Sequence, residues 1–291
     1  MKNLITILSL ICILPFVGLS TEKSHELRTA DSLHSIGLTE DAIIAYEYAA
    51  YAAESNSIRT IALIKKADCL TSLAKTQSSE NTLSRLNYYN LSDSLQYQAR
   101  YKAALYAYLN KNHEESAAQL EMIQQFLVDS IAMQSKPLYA LVLNELRQWN
   151  AAKMQLTMWN AYYHSSDSAT FKSITEAIDA AYTSKKQPKY KDPAKAQIWA
   201  QIIPGSGQLY SGYLFDAAFT SVMVLSGIGI AAYGVLVAKY YVTGIIMGYA
   251  VFQRFYIAGQ QRSEYLARKK NYKTKRAYND ELRDLITHQL K

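Results

Sequence analysis

From Ala217 to Val237 the chain runs for 21 residues without a charged side chain. At a helical rise of about 1.5 Å per residue such a run covers about 30 Å, the thickness of a bilayer's hydrocarbon core. A helix satisfies its own backbone there, so this stretch predicts a membrane span, and the rest of the chain has to hang on it. After Lys239 a second apolar run, Tyr240 to Ala258, has the same reach but carries Gln253 and Arg254 near its far end. An arginine at mid-bilayer costs about 3 kcal/mol on insertion scales, but Arg254 lies about a turn from the end of the segment, within snorkelling reach of the headgroups. The expectation is a transmembrane helical hairpin with spans 217–237 and 240–258, and Arg254 as its one intramembrane charge.

Ahead of the spans, Ile198, Trp199, Ile202 and Ile203 begin an apolar segment that Pro204 stops. It resumes after the run Pro204-Gly205-Ser206-Gly207-Gln208-Leu209-Tyr210-Ser211-Gly212. A broken segment of this kind, over 198–215, needs partners for its freed backbone groups. It reads as an interfacial or re-entrant turn at Gly205 and Gly207, with the Gln208 amide supplied to the freed carbonyls and Tyr210 suited to the headgroup zone. The run lacks the Lys-Ser/Thr ending of a phosphate loop, and no strand precedes it. Gly227, Gly229 and Gly234 in the first span, with the G-x-x-x-G spacing of Gly244 and Gly248 in the second, give faces for close helix packing, within the hairpin or across a homodimer.

Residues 24–183 are almost free of Gly and Pro, rich in Ala, Leu and Tyr, and have apolar residues stepping by three and four. Leu63, Ala67, Leu70 and Ala74 mark one helix face, and Leu120, Ile123, Leu127 and Ile131 another. Polar clusters such as Glu54-Ser55-Asn56-Ser57 and Ser165-Ser166-Asp167-Ser168 end each short helix. Four helix pairs and a closing helix through Phe171, Ile174, Ile178 and Tyr182 are expected, with a period of about 34 residues. Within Leu33 to Asn56, Gly37 stands at an inter-helix turn, Ala42 and Ala49 at small positions and Tyr46 at a bulky one. A weaker echo holds Trp149 and Ala152, with Arg147 in place of the turn glycine and Leu156 as the bulky residue. Tyr101 to Phe126 fits the motif poorly, and residues 77–94 match nothing well. This pattern resembles the tetratricopeptide repeat, and the resemblance implies a short curved solenoid that binds a protein partner. The 24 tyrosines of the chain serve either its packing or such a surface.

The charge is divided. Residues 22–182 hold 14 Lys/Arg against 18 Asp/Glu, whereas residues 183–196 carry five lysines against Asp192 and residues 254–291 carry ten Lys/Arg against four acids. The basic stretches flank the membrane segment, so anionic lipid headgroups are the expected counter-charge and nucleic acid is not. Residues 184–196, with Pro188 and Pro193, read as a basic linker along the membrane surface, and residues 262–291 as a basic amphipathic tail helix. Lys2, the apolar run Leu4 to Leu19 and the small residues Gly18 and Ser20 form a signal-peptide layout over 1–20. Cys12 and Cys69 make no disulfide framework. His25, His34, His113, His164 and His288 are scattered without metal spacing, and no paired nucleophile and base is read from the chain. No cofactor, metal or catalytic residue is expected.

The nine residues 204–212 resemble bacterial membrane modules with the pattern P-G-x-G-Q-x-Y-x-G followed by a hydrophobic hairpin. The likeness continues at Phe255-Tyr256-Ile257-Ala258-Gly259 and at Tyr265 to Asn271. Such modules commonly follow a tetratricopeptide-like region and a leader, the order found here, and the resemblance carries a loose association with membrane-protein insertion. The fold expected is all-α: leader, repeat array, membrane hairpin, tail. The function expected is a membrane-anchored adaptor at the bacterial inner membrane with its array in the periplasm, where a cleaved leader sends it although basic flanks favour the cytoplasm. The alternative is an accessory subunit whose hairpin assists membrane-protein insertion or assembly.

Overall fold

A computed structural model describes residues 25–289. The expected leader over 1–20, and Cys12 with it, lies outside the described residues. Among these residues the chain is helical and has no strand. It divides into two units: Met1–Thr183 together with Leu282–Lys291, and Ser184–Glu281.

In the first unit, α1 (His25–Ser35) pairs with α2 (Thr39–Ala52), α3 (Asn56–Ser72) with α4 (Thr76–Leu83), and α5 (Asp93–Leu109) with α6 (His113–Phe126). A short α7 (Asp129–Ala132) and a 3-10 turn (Met133–Ser135) lead to α8 (Lys136–Glu145), which pairs with α9 (Trp149–His164). α10 (Ser168–Ala181) packs on α9 and buries Ile174 and Ile178. Ser55, Ser92, Asn112 and Asp167 cap the starts of α3, α5, α6 and α10 through their side chains.

Each of the four pairs turns in the same way. Gly37, Ala74, Lys111 and Arg147, spaced by 37, 37 and 36 residues, hold left-handed φ values of 86°, 58°, 67° and 64°. At each, the turn residue donates its N–H to the carbonyl three back, and the next residue donates to the carbonyl five back: Gly37 to His34 and Leu38 to Leu33, Ala74 to Thr71 and Lys75 to Leu70, Lys111 to Tyr108 and Asn112 to Ala107, Arg147 to Asn144 and Gln148 to Leu143. This closes the first helix of each pair with a Schellman turn.

The packing repeats in step. Seven residues before each turn stands an alanine, Ala30, Ala67, Ala104 or Ala140, and five after it Ala42, Ser79, Ser116 or Ala152; all eight are wholly buried. Nine after it Tyr46, Leu83, Leu120 or Leu156 fills the core, each contributing about 1.5–3 kcal/mol by burial. The serines add a bond across the pair, Ser79 Oγ to the Ala67 carbonyl at 3.0 Å and Ser116 Oγ to the Ala104 carbonyl at 2.7 Å. The structure therefore corrects the sequence expectation in two ways. The period is about 37 residues rather than 34, and residues 77–83 and 101–126 keep the register of the series, while 84–92 form a non-helical connection. A serine does the work of alanine there, and alanine or lysine accepts the left-handed turn.

In the second unit, α11 (Pro193–Ile202), the single-turn α12 (Ser206–Tyr210) and α13 (Leu214–Leu236) are followed by α14 (Tyr241–Asp284), a continuous helix of 44 residues. Among the described residues α13 alone is long and apolar enough to cross a membrane. The second span expected over 240–258 does not meet that standard, because Gln253 and Arg254 sit in its apolar stretch. Nor does it end there: the span and the part of the expected tail helix up to Asp284 lie in α14, which runs without a break from apolar to charged sequence and is followed by a π-helical turn, Leu285–Gln289. The linker also has more structure than its composition implied. The Lys191 backbone is held by the Asn271 side chain, N–H to Oδ1 at 2.8 Å and carbonyl from Nδ2 at 2.7 Å, and Asp192 caps α11.

The repeat accounts for two opposite effects. Lys111→Gly relieves the left-handed strain of a side-chain-bearing residue and raises stability by about 0.5–1 kcal/mol, whereas Ala104→Leu overpacks the helix pair and lowers it by about 1–3 kcal/mol. Thermal unfolding of the purified variants measures both, and equal effects would contradict the shared register.

Candidate functional site

The glycine-rich run is the centre of the second unit. Gly205 holds φ +91°, and a Cβ there would lie 2.5 Å from the Ala217 carbonyl oxygen on α13, so glycine is needed for the turn and for the contact. A Cβ on Gly207 would lie 2.0 Å from the Ala196 carbonyl oxygen on α11 and 2.8 Å from Ser263 Cβ on α14. Gly212 also holds a left-handed φ but has open space around it. Gln208, wholly buried, spans the remaining gap: its Nε2 donates to the Gly259 carbonyl at 2.9 Å and to Thr220 Oγ1 at 3.2 Å. The amide expected to serve carbonyls freed by the break instead reaches across to a carbonyl inside the continuous helix α14 and to a side-chain hydroxyl on α13. Its Oε1 is buried and has no hydrogen-bond partner among the described residues.

Further bonds close the cluster. Ser221 Oγ donates to the Pro204 carbonyl at 2.8 Å, Ser263 Oγ to the Ala196 carbonyl at 3.2 Å, and the Tyr256 hydroxyl to the Gln201 carbonyl at 2.8 Å. The Tyr210 hydroxyl accepts from the Asp192 N–H at 3.2 Å, and Lys191 Nζ lies 4.7 Å from the Tyr210 ring centre. Arg262 pairs with Asp216 at 3.0 Å. Pro204, Gly205, Gly207, Gln208 and Tyr210, with Tyr256, Gly259 and Asn271, are therefore brought into one assembly, whereas Gly212, exposed, only turns the chain. Thr220, Ser221 and Ser263 were missed by sequence reading; their signal was small hydroxyls in helices otherwise short of polar groups.

Above this cluster α13 and α14 meet along glycines. A Cβ on Gly234 would lie 2.5 Å from Gly244 Cα, and one on Gly227 would lie 2.8 Å from the Gly248 carbonyl oxygen. The G-x-x-x-G face is thus used within the chain, while Gly229 has open space. The outward residues of both helices are apolar and exposed, Val222 and Leu225 at 63%, Leu236 at 70%, Val242 at 71% and Ile246 at 60%. Arg254 and Gln253 lie exposed on the outside of α14, away from the glycine seam, and Arg254 has no ion pair among the described residues.

In the array, Gly37 is a turn, Ala42, Ala49 and Ala152 are wholly buried contacts, Tyr46 is core, and Trp149 opens α9 half-buried. Tyr101, Tyr106 and Tyr108 are buried as well, whereas Tyr48, Tyr51 and Tyr89 are exposed, so packing takes the larger share of this group. The Tyr46 hydroxyl donates to Asp31 at 2.8 Å; burial first, then that acceptor, hold its proton far above the usual tyrosine range. Asp31, His34, Ser35, Tyr46, Lys65 and Asp68 line an open cavity of about 250 Å³. His34 Nδ1 lies 3.4 Å from the buried Cys69 Sγ, whose pKa burial raises. Among the described residues no His/Cys/Asp/Glu group is arranged to hold a metal ion. Glu47 lies between Arg85 and Lys66, and these hydrogen bonds, Arg85 first, push its pKa down to about 2.

No protein-family model matches the chain, and no curated protein and no solved structure matches it either.

Two results follow from this geometry. Gly207→Ala forces the Ala196 and Ser263 backbones apart and lowers the stability of the second unit by at least about 1–3 kcal/mol, measured as lost protection of the α11 and α14 amides in hydrogen exchange. Because the folded pKa of Glu47 lies below its ordinary value of 4.5, its contribution is complete above pH 4.5 and disappears as pH falls to about 2. Glu47→Gln therefore costs about 1 kcal/mol at neutral pH after allowance for solvent screening, and flattens the acid limb of the unfolding curve.

Proposed function

We propose that this chain is a membrane-anchored, non-enzymatic adaptor, in which a tetratricopeptide-like array holds a protein partner close to a bacterial inner membrane. The observation that carries the reading is the arrangement of α13 and the first half of α14. Their small residues face each other, and their large apolar residues face outward. In water such a surface would be an aggregation hazard, whereas in lipid it needs no cover. The array supports the binding half of the proposal by its four equivalent pairs. Basic residues on either side of the apolar segment suit anionic headgroups at about 1 kcal/mol each near the surface. The leader read in the sequence puts the array in the periplasm.

A second reading has one observation in its favour. Gln253 and Arg254 stand exposed on an otherwise apolar flank, and a charge at membrane depth is a functional candidate by default. On this reading the helix pair itself assists the insertion or assembly of other membrane proteins.

Membranes from producing cells, washed in alkaline carbonate, test the anchor: the protein stays in the pellet if α13 and α14 are in lipid and moves to the supernatant if they are not. Pull-downs with residues 21–183 and with residues 184–291 then separate the two functions. Partners retained by the array support the adaptor, and partners retained only by the membrane part overturn it. Protease added to spheroplasts digests the array if it is periplasmic and spares it otherwise.

A further inference from the structure

The end of the chain belongs with the array. Leu282, Leu285, Ile286 and Thr287 are buried, at 0%, 6%, 4% and 2% exposure, in a stretch whose composition is that of a charged tail. Arg283 donates from Nε to the Tyr108 hydroxyl at 3.3 Å and from Nη2 to Glu145 Oε1 at 3.1 Å. The ion pair is shielded, its side chains 27% and 17% exposed. Tyr108 stands three residues before the turn at Lys111 and Glu145 two before the turn at Arg147, so the tail meets the ends of α5 and α8.

The array contains two triads of the same composition. Lys65 pairs with Asp31, which also accepts the Tyr46 hydroxyl. Lys102 pairs with Asp68, which also accepts the Tyr106 hydroxyl. In both, the ammonium lies about a ring's reach from the same tyrosine, 6.0 Å and 5.8 Å from its centre. Both lysines stand nine residues before the left-handed turn of their own pair and reach back to the first helix of the pair before. That register holds Arg28, Lys65 and Lys102 in the first three pairs, but Leu138 in the fourth. The acceptor position of the series, six before the turn, holds Asp31 and Asp68 in the first two pairs but Leu105 in the third, so the series ends there; Arg283 of the tail makes a separate pair with Glu145, two residues before the fourth turn.

We infer that Leu282–Gln289 is a built-in ligand of the array, and that the surface over Tyr108 and Glu145 takes a partner's amphipathic helix of the pattern Leu-Arg-x-Leu-Ile in competition with it. The inference rests on reading the array as a binding module and names the chemistry of what it binds. A shielded arginine–carboxylate pair gives such a site its register, and the flanking Leu and Ile side chains supply the area. A tethered ligand acts at an effective concentration of about 1 mM, so a tail whose own affinity for the site is roughly 10 µM weakens any competitor by about 100-fold.

The test uses the full-length protein in detergent and a fluorescein-labelled peptide of residues 278–291, followed by anisotropy. Leu282→Asp/Leu285→Asp/Ile286→Asp frees the site while leaving the array intact by circular dichroism. This variant binds the peptide saturably, and the wild type binds it about 100-fold more weakly. Adding Glu145→Lys to the variant abolishes binding, and a peptide carrying Arg283→Glu restores it. Equal binding by wild type and variant, or none by a folded variant, overturns the inference. Should the variant unfold, hydrogen exchange decides: Glu145→Lys alone speeds exchange of the Leu285–Gln289 amides at least about 10-fold, and Glu145→Lys with Arg283→Glu returns it to the wild-type rate. Exchange unchanged by Glu145→Lys also overturns it. Neither measurement needs a cellular partner or a bilayer, so failure here leaves the adaptor reading to its own experiments.

Discussion

In the core that α1 and α2 share, Ala30 and Ala42 are wholly buried, and where α13 meets α14 the contact is made by Gly227, Gly234, Gly244 and Gly248. Close approach of helix backbones at residues with little or no side chain is the constraint that both units obey. It allows side-chain donors to reach carbonyls on a neighbouring helix: Ser116 to Ala104 in the array, Ser263 to Ala196 and Gln208 to Gly259 in the second unit. In the array this packing is driven by water, which leaves Tyr46, Leu83, Leu120 and Leu156 in the core. Between α13 and α14 the outward surface is itself apolar, so dispersion at short range and the polar cluster beneath have to hold the pair.

That difference decides what each unit has left to offer. The glycine seam consumes the small-residue face of the helix pair, so the surface presented outward is large and apolar, suited to lipid. The array keeps its small residues inside and presents a line of cations, carboxylates and tyrosines on successive pairs. Lys65 with Asp31 and Lys102 with Asp68 are satisfied within the array, and Arg283 with Glu145 depends on the end of the chain.

Much of this was legible in the sequence, and the exceptions have physical causes. Gly37, Ala42 and Tyr46 announced one repeat because all three positions hold their most recognisable residues. The second and third pairs were hidden because the structure requires smallness, which Ser79 and Ser116 supply, and tolerance of a left-handed turn, which Ala74 and Lys111 meet at a cost. The uncharged run of α13 was plain. The continuity of α14 was not, because a helix satisfies its own backbone and has no reason to stop where its side chains change from apolar at Ala250 to charged at Arg268. The motif from Pro204 to Gly212 signalled a turn, but the hydroxyls that receive it, Thr220, Ser221 and Ser263, are scattered among residues that gave no spacing to read.

The claim on which the rest turns is that the outer face of α13 has lipid for its solvent. A nitroxide at Leu225, in the full-length protein reconstituted into bilayer vesicles, measures this directly through power saturation by oxygen and by a water-soluble nickel chelate. With that face in lipid, oxygen acts strongly on the label and the chelate almost not at all, with the reverse at a label on Tyr51 of the array. Ready access of the chelate to position 225 would contradict the claim.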